Sequence, residues 1–258
     1  MAEPLPIVDT ADVTTRPPLS SGSSTAWLSL FEVVLCSGFP SQLLLSALLL
    51  MAGLAATSGD GLSFRFVVAL SLLDTAVVLG LVGLFLKARG ESVREVLVGR
   101  MALAPEVTRG LALLPVVFGV VLVGGLVIQH IAPQLRNVEE NPLQAMLDSP
   151  TRLAIFAVVV VVAGGLREEV QRAFILHRFR QDLGGAWVGL ILFSVAFGLG
   201  HQMQGYDAGI LTGLLGLLWG VVYLVRQSIV APVVSHALFN LIQLAIVQYA
   251  SQAGLIGT

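Results

Sequence analysis

Three apolar stretches of this 258-residue chain carry ionisable or amide side chains at helical spacing. The first runs from AIFAVVVVVAGGL into Arg167, Glu168, Glu169 and Arg172. The second ends Phe197-Gly-Leu-Gly-His201, and the third contains His236-Ala-Leu-Phe-Asn240. A carboxylate and an imidazole can jointly hold a water and take its proton, which is general-base hydrolysis. A second imidazole beside an amide can donate hydrogen bonds to a developing oxyanion. Glu168, His201 and His236 could instead ligate a metal such as zinc. Residue types alone leave the two schemes open.

Taken singly, each group also has a plain structural reading. Glu168 and Arg172 are spaced i,i+4 and would form an ion pair at a helix end. His201 would be a satisfied histidine at the end of its helix. His236 and Asn240 lie one turn apart and would make a polar contact between helices. Depth favours a joint role. At ~1.5 Å per residue from one membrane edge, Glu168 and His236 lie about 13 and 12 Å deep, and His201 and Asn240 about 21 and 18 Å. All four fall in the central slab of a ~30 Å hydrocarbon core.

The elements that must position them are membrane helices. Apolar residues make up 56% of the chain and charged residues 12%, with a mean hydropathy of +0.89. A soluble domain carries roughly 25% charged residues. Apolar runs close to ~20 residues span a bilayer, and in lipid they must be helices. The fold class is therefore all-α, a polytopic membrane helix bundle of about seven transmembrane helices. The expected spans are 27–55, 64–87, 109–131, 152–177, 186–202, 208–225 and 229–250, with Pro40 kinking the first. Segment 88–108 reads as an interfacial helix plus a turn. Residues 1–26, rich in Pro, Ser and Thr, read as a disordered cytoplasmic tail without signal-peptide features. The membrane domain covers 27–250, its motif-bearing core 150–245, and 251–258 form a short C-terminal tail. Gly209, Gly213, Gly216 and Gly220 make a stripe on one helix face that reads as close helix packing. Net charge is −2, which gives nucleic acid nothing to bind, and the single cysteine, Cys36, precludes an internal disulfide.

Read together, EEVQR, FGLGH and HALFN resemble the motifs of the CPBP group, the CAAX proteases and bacteriocin-processing enzymes also called the Abi family. Three short motifs in the right order on successive core helices carry the resemblance over about residues 150–245. It implies an intramembrane endopeptidase that cuts a membrane-associated protein or peptide. By position, Glu168 would activate the water with His201, and His236 with Asn240 would form the oxyanion hole. Glu169, Arg172 and Phe197 would be supporting residues. No cofactor is favoured, because an Asn amide suits an oxyanion hole better than a zinc sphere. Zinc held by Glu168, His201 and His236 is the competing scheme. The family pattern is EExxxR, whereas this chain has EExxR, which sets Arg172 one turn from Glu168 rather than from Glu169.

Other intramembrane chemistries fit less well. HExxH is absent, and Thr57-Ser58-Gly59-Asp60 lacks the first Gly of the Gly-x-Gly-Asp that would partner Tyr206-Asp207 in an aspartyl type. Glu32 and Asp74 are expected to face the bundle or a cavity, and His177 and His130 the interfaces. Two other functions stay open: an inactive scaffold or immunity protein of the same fold, and a small-solute transporter whose midplane polar residues bind an ion, which the lack of an inverted repeat disfavours. Lys and Arg cluster after the second, fourth and sixth spans. The positive-inside rule then makes the N-terminus cytoplasmic and the C-terminus external, in a bacterial inner membrane.

Overall fold

A computed structural model describes residues 23–59, 61–138 and 141–253. The chain is a helix bundle, and the only strands among the described residues are Thr57–Ser58 and Gly61–Leu62, a minimal antiparallel hairpin. Four helices are long and apolar enough to cross a membrane: α3 (Phe64–Ala88), α5 (Leu103–Ile131), α10 (Tyr206–Arg226) and α11 (Val230–Gln252). The bent pair α1 (Ser23–Cys36) and α2 (Phe39–Met51) makes a fifth when taken as one span. The chain is a multi-pass membrane protein. All seven expected stretches are helical, yet α9 (Ala186–Gly200) has only 15 residues, fewer than a full crossing needs.

The first stretch breaks differently from expectation. Ser37 and Gly38 separate α1 from α2, which diverge by 42°. Gly38 has φ 79°, and a side chain there would strike the Arg167 guanidinium, so both conformation and space demand glycine. Pro40 sits in the first turn of α2, where its missing N–H costs nothing. The break therefore belongs to Gly38. α5 also begins earlier than expected, at Leu103, because Pro105 falls in its first turn; only α4 (Val93–Leu97) remains of the interfacial helix. α4 is capped by the Ser92 hydroxyl.

Between α5 and α9 the chain forms a short helix α6 (Pro142–Ala145), then α7 (Pro150–Val159), a π-helical segment (Val160–Arg167) and α8 (Glu168–Asp182) in one continuous run. α8 is the most charged of these helices and the most enclosed, with residues 169–176 all buried. A charged helix can sit there only if its fully buried charges are paired. Arg178, fully buried, meets Glu32 of α1 and Glu91 of the α3–α4 loop, and Arg89 also binds Glu32, at 2.9 Å. Burial opposes the Glu91 carboxylate charge. Hydrogen bonds from Gln181, Arg178 and His177 outweigh that, so Glu91 titrates below the usual carboxylate range. His177 thus bonds to Glu91 at 2.9 Å and does not simply meet headgroups. The outer faces are apolar, with Leu122 64% and Leu199 58% exposed, as lipid contact requires.

The glycine stripe of α10 packs on α9. A Cβ on Gly209 would lie 2.9 Å from the Gly198 carbonyl, on Gly213 3.2 Å from that of Ser194, and on Gly216 3.1 Å from the Phe197 ring. Close packing of these two helices sets the Phe197 ring against Gly216, one turn from Trp219.

Candidate active site

Glu168 is the first residue after the π-helical segment. Such segments are rare and concentrate at functional sites, because the wider turn re-aims the side chains beyond it. Here the segment contains Gly164 and Gly165, and α11 lies directly on them. A Cβ on Gly165 would come 2.7 Å from the Ala237 Cβ, and one on Gly164 2.7 Å from Asn240 Nδ2. These two glycines let the helix bearing His236 and Asn240 approach the helix bearing the glutamates.

The two adjacent glutamates then part. Glu168 is partly buried, its side chain 16% exposed, and lines a cavity of about 430 Å³. Glu169 is 1% exposed and points the other way, into the bundle. Its Oε1 lies 2.8 Å from His236 Nδ1, and its Oε2 pairs with Arg172. A carboxylate only accepts, so His236 donates from Nδ1 and turns Nε2 toward the cavity, 3.8 Å from Glu168 Oε2. The imidazole is fixed from its faces as well. Trp219 stacks on it at 3.8 Å and 16°, and the Trp219 indole N–H is itself held by Ser235 Oγ at 3.0 Å. Phe197 meets His236 edge-on at 6.4 Å.

Arg172 is fully buried, and its guanidinium lies over the rings of Phe193, Phe197 and Trp219 at 5.3, 5.1 and 5.8 Å. Its ion partner is Glu169 at i,i+3. This corrects the expected Glu168–Arg172 pair. The short EExxR spacing still places Arg172 one turn from Glu169, since i+3 and i+4 both face residue i. Glu168 is left without an arginine partner and is free to face the cavity.

His201 caps α9, and its Nδ1 lies 2.7 Å from the Phe197 carbonyl. A carbonyl cannot donate, so Nδ1 carries the proton and Nε2 presents a lone pair. The Phe197 ring also packs edge-on against His201 at 4.7 Å, so one phenylalanine touches both imidazoles.

Glu168, His201, His236 and Asn240 all line the one cavity. Glu169 and Arg172 stand behind its wall. Glu32 and Asp74 face the bundle and not the cavity: Asp74 is 3% exposed and binds Arg167, Ser41 and Gln42. Sequence reasoning missed Trp219, Ser235, Gly164 and Gly165. The Gly-Gly pair just before the double Glu was the readable sign; nothing in the sequence marked Trp219 as the residue under His236. Among the described residues, no three His, Cys, Asp or Glu side chains are gathered closely enough to share a metal ion.

Residues 150–242 match the Rce1-like family, described as type II CAAX prenyl endopeptidase Rce1-like. The likeness is to that family and extends over this stretch alone. The matched stretch covers a little over a third of the chain, from the first residue of α7 into α11, and holds all three motifs. That likeness to a CAAX prenyl endopeptidase family agrees with the resemblance read from EEVQR, FGLGH and HALFN. No curated protein and no solved structure matches the chain.

Proposed function

We propose that the chain hydrolyses a peptide bond in a membrane-associated protein or peptide, with Glu168 and His201 activating the water and His236 and Asn240 stabilising the oxyanion. The observation that carries this reading is the single cavity lined by these four side chains, with His236 clamped from behind by Glu169. Glu168 takes the proton of the attacking water. His236 has its Nδ1–H committed to Glu169, so it must be protonated on Nε2 as well to donate to the oxyanion. Asn240 supplies a second donor from its amide. One lost oxyanion donor costs about 10²–10³ in rate, so Asn240→Ala should retain a trace of activity in a reporter-cleavage assay. Undiminished turnover would remove it from the oxyanion hole.

A second assignment exchanges the imidazoles, and the 3.8 Å approach of His236 Nε2 to Glu168 favours it. The pair would then hold the water and His201 would face the oxyanion. Glutamine can donate a hydrogen bond but is no base. His236→Gln should therefore keep more activity than His201→Gln under the first assignment, and less under the second.

No step is routed through a metal. If Glu168, His201 and His236 instead held zinc, the purified protein would contain it stoichiometrically and lose it in either histidine variant. With Glu168 as general base, activity should survive strong chelators.

The orientation proposed is N-terminus inside and C-terminus outside, in a bacterial inner membrane. Cysteines at Gly90 and Ala253, in a Cys36→Ala background, should then be labelled by an impermeant reagent from opposite sides. Labelling from one side would overturn it.

A further inference from the structure

Arg167, Glu168 and Glu169 are consecutive, and at about 100° per residue their side chains fan to three sides of one helix. Glu169 is held by His236 and Arg172. Glu168 faces the cavity with Oε2 3.8 Å from His236 Nε2, beyond hydrogen-bond reach. Its aim therefore comes from the rotation of the helix and not from that neighbour. Arg167 takes the third side. It is buried against α3, where it pairs with Asp74. Asp74 is fixed in turn, because Ser41 and Gln42 of α2 both donate to it, Gln42 at 3.2 Å. The guanidinium sits at the α1–α2 break, in the space that a Cβ on Gly38 would fill. One turn further along, Gln171 Nε2 donates to the Cys36 carbonyl at 2.8 Å, one of the carbonyls that α1 leaves open at its end. Arg167 and Gln171 thus dock the start of α8 against the break.

A π-helical turn is rare, and this one ends at Arg167. Stability does not account for the ion pair that marks its end. A buried pair adds little over apolar side chains of similar volume, because desolvating two charges offsets their attraction. What it adds is direction. A guanidinium and a carboxylate meet in few geometries, so the pair fixes the rotation of the helix at the residue before Glu168. With Glu169 clamped on the other side, that rotation is set on both flanks of the residue facing the cavity.

We infer that Asp74 is a positioning residue: through Arg167, seated at the α1–α2 break, it fixes the helix rotation that turns Glu168 into the cavity. The inference rests on the hydrolase reading above. It gives a part in the reaction to α2 and α3, which lie outside residues 150–242.

Asp74→Asn alone strands a buried guanidinium, so the test removes both charges. In Asp74→Asn with Arg167→Met, the asparagine keeps the shape of the aspartate and can still bond to Ser41 and Gln42. The detergent-solubilised double variant should melt as the wild type does. Its kcat on a membrane-anchored peptide reporter should fall at least about tenfold with KM unchanged, since a misplacement of about 1 Å can cost about 10²-fold. Asp74→Glu with Arg167→Lys lengthens one partner as it shortens the other, keeps the ion pair, and should recover most of that kcat. Wild-type kcat in the folded neutral pair, a loss confined to KM, or no recovery in the length-exchanged pair would overturn the inference. A neutral pair that fails to fold would overturn it too, by showing that the ion pair serves the fold. If the wild type cuts no reporter, or Glu168→Gln cuts it at full rate, the hydrolase reading fails and the inference falls with it.

Discussion

Arg172→Ala should cost about 3–5 kcal/mol of stability, the usual consequence of leaving a buried charge without its partner. Arg172 is fully buried, and Glu169, its ion partner, is 1% exposed. Removing the guanidinium strands that carboxylate among Phe193, Phe197 and Trp219, whose ring faces now surround a cation. The loss should reach the site as well. Glu169 carries His236 Nδ1, so a displaced or protonated Glu169 frees the imidazole to rotate against Trp219. The measurement is a thermal or denaturant melt of detergent-solubilised protein, with reporter turnover alongside. Arg172→Met together with Glu169→Gln should recover part of the stability, since it removes both charges. It should not recover turnover, because the clamp on His236 is weakened. A wild-type melt for Arg172→Ala would show that the buried pair contributes nothing.

The helices and the site were legible in the sequence to different depths. Hydropathy runs placed every long helix, since a membrane chain has little choice but to satisfy its backbone within helices. The break at Gly38 was misassigned to Pro40, because proline is the usual breaker. Only the position of Arg167, on a helix more than a hundred residues away, reveals that a side chain at 38 has no room. The cavity's four side chains could be grouped from depth along each helix, a property of one chain segment at a time. Partnership could not. Whether Arg172 meets Glu168 or Glu169 depends on how α8 is rotated against α9 and α11, and the π-helical turn that sets this rotation leaves no mark beyond Gly164-Gly165. Trp219 escaped for the same reason: it looks like one more lipid-compatible aromatic until α10 is docked on α9 through its glycine stripe.

Glu168 carries the largest expected effect on turnover. Glutamine is nearly the same size and fills the same place in the cavity wall, but its amide cannot take a proton from water. Proton transfer by a positioned group contributes about 10²–10⁴ in rate. The other residues that hold the site, Glu169, Arg172, Trp219 and Phe197, make no hydrogen bond to Glu168 in the structure, so the substitution should leave the fold intact. The decisive measurement is cleavage of a membrane-anchored peptide reporter by purified wild type and Glu168→Gln side by side, with matched melting curves. Both proteins should be equally folded, and the variant's rate should fall by about 10² or more. Full turnover by folded Glu168→Gln would contradict a general-base role for this carboxylate.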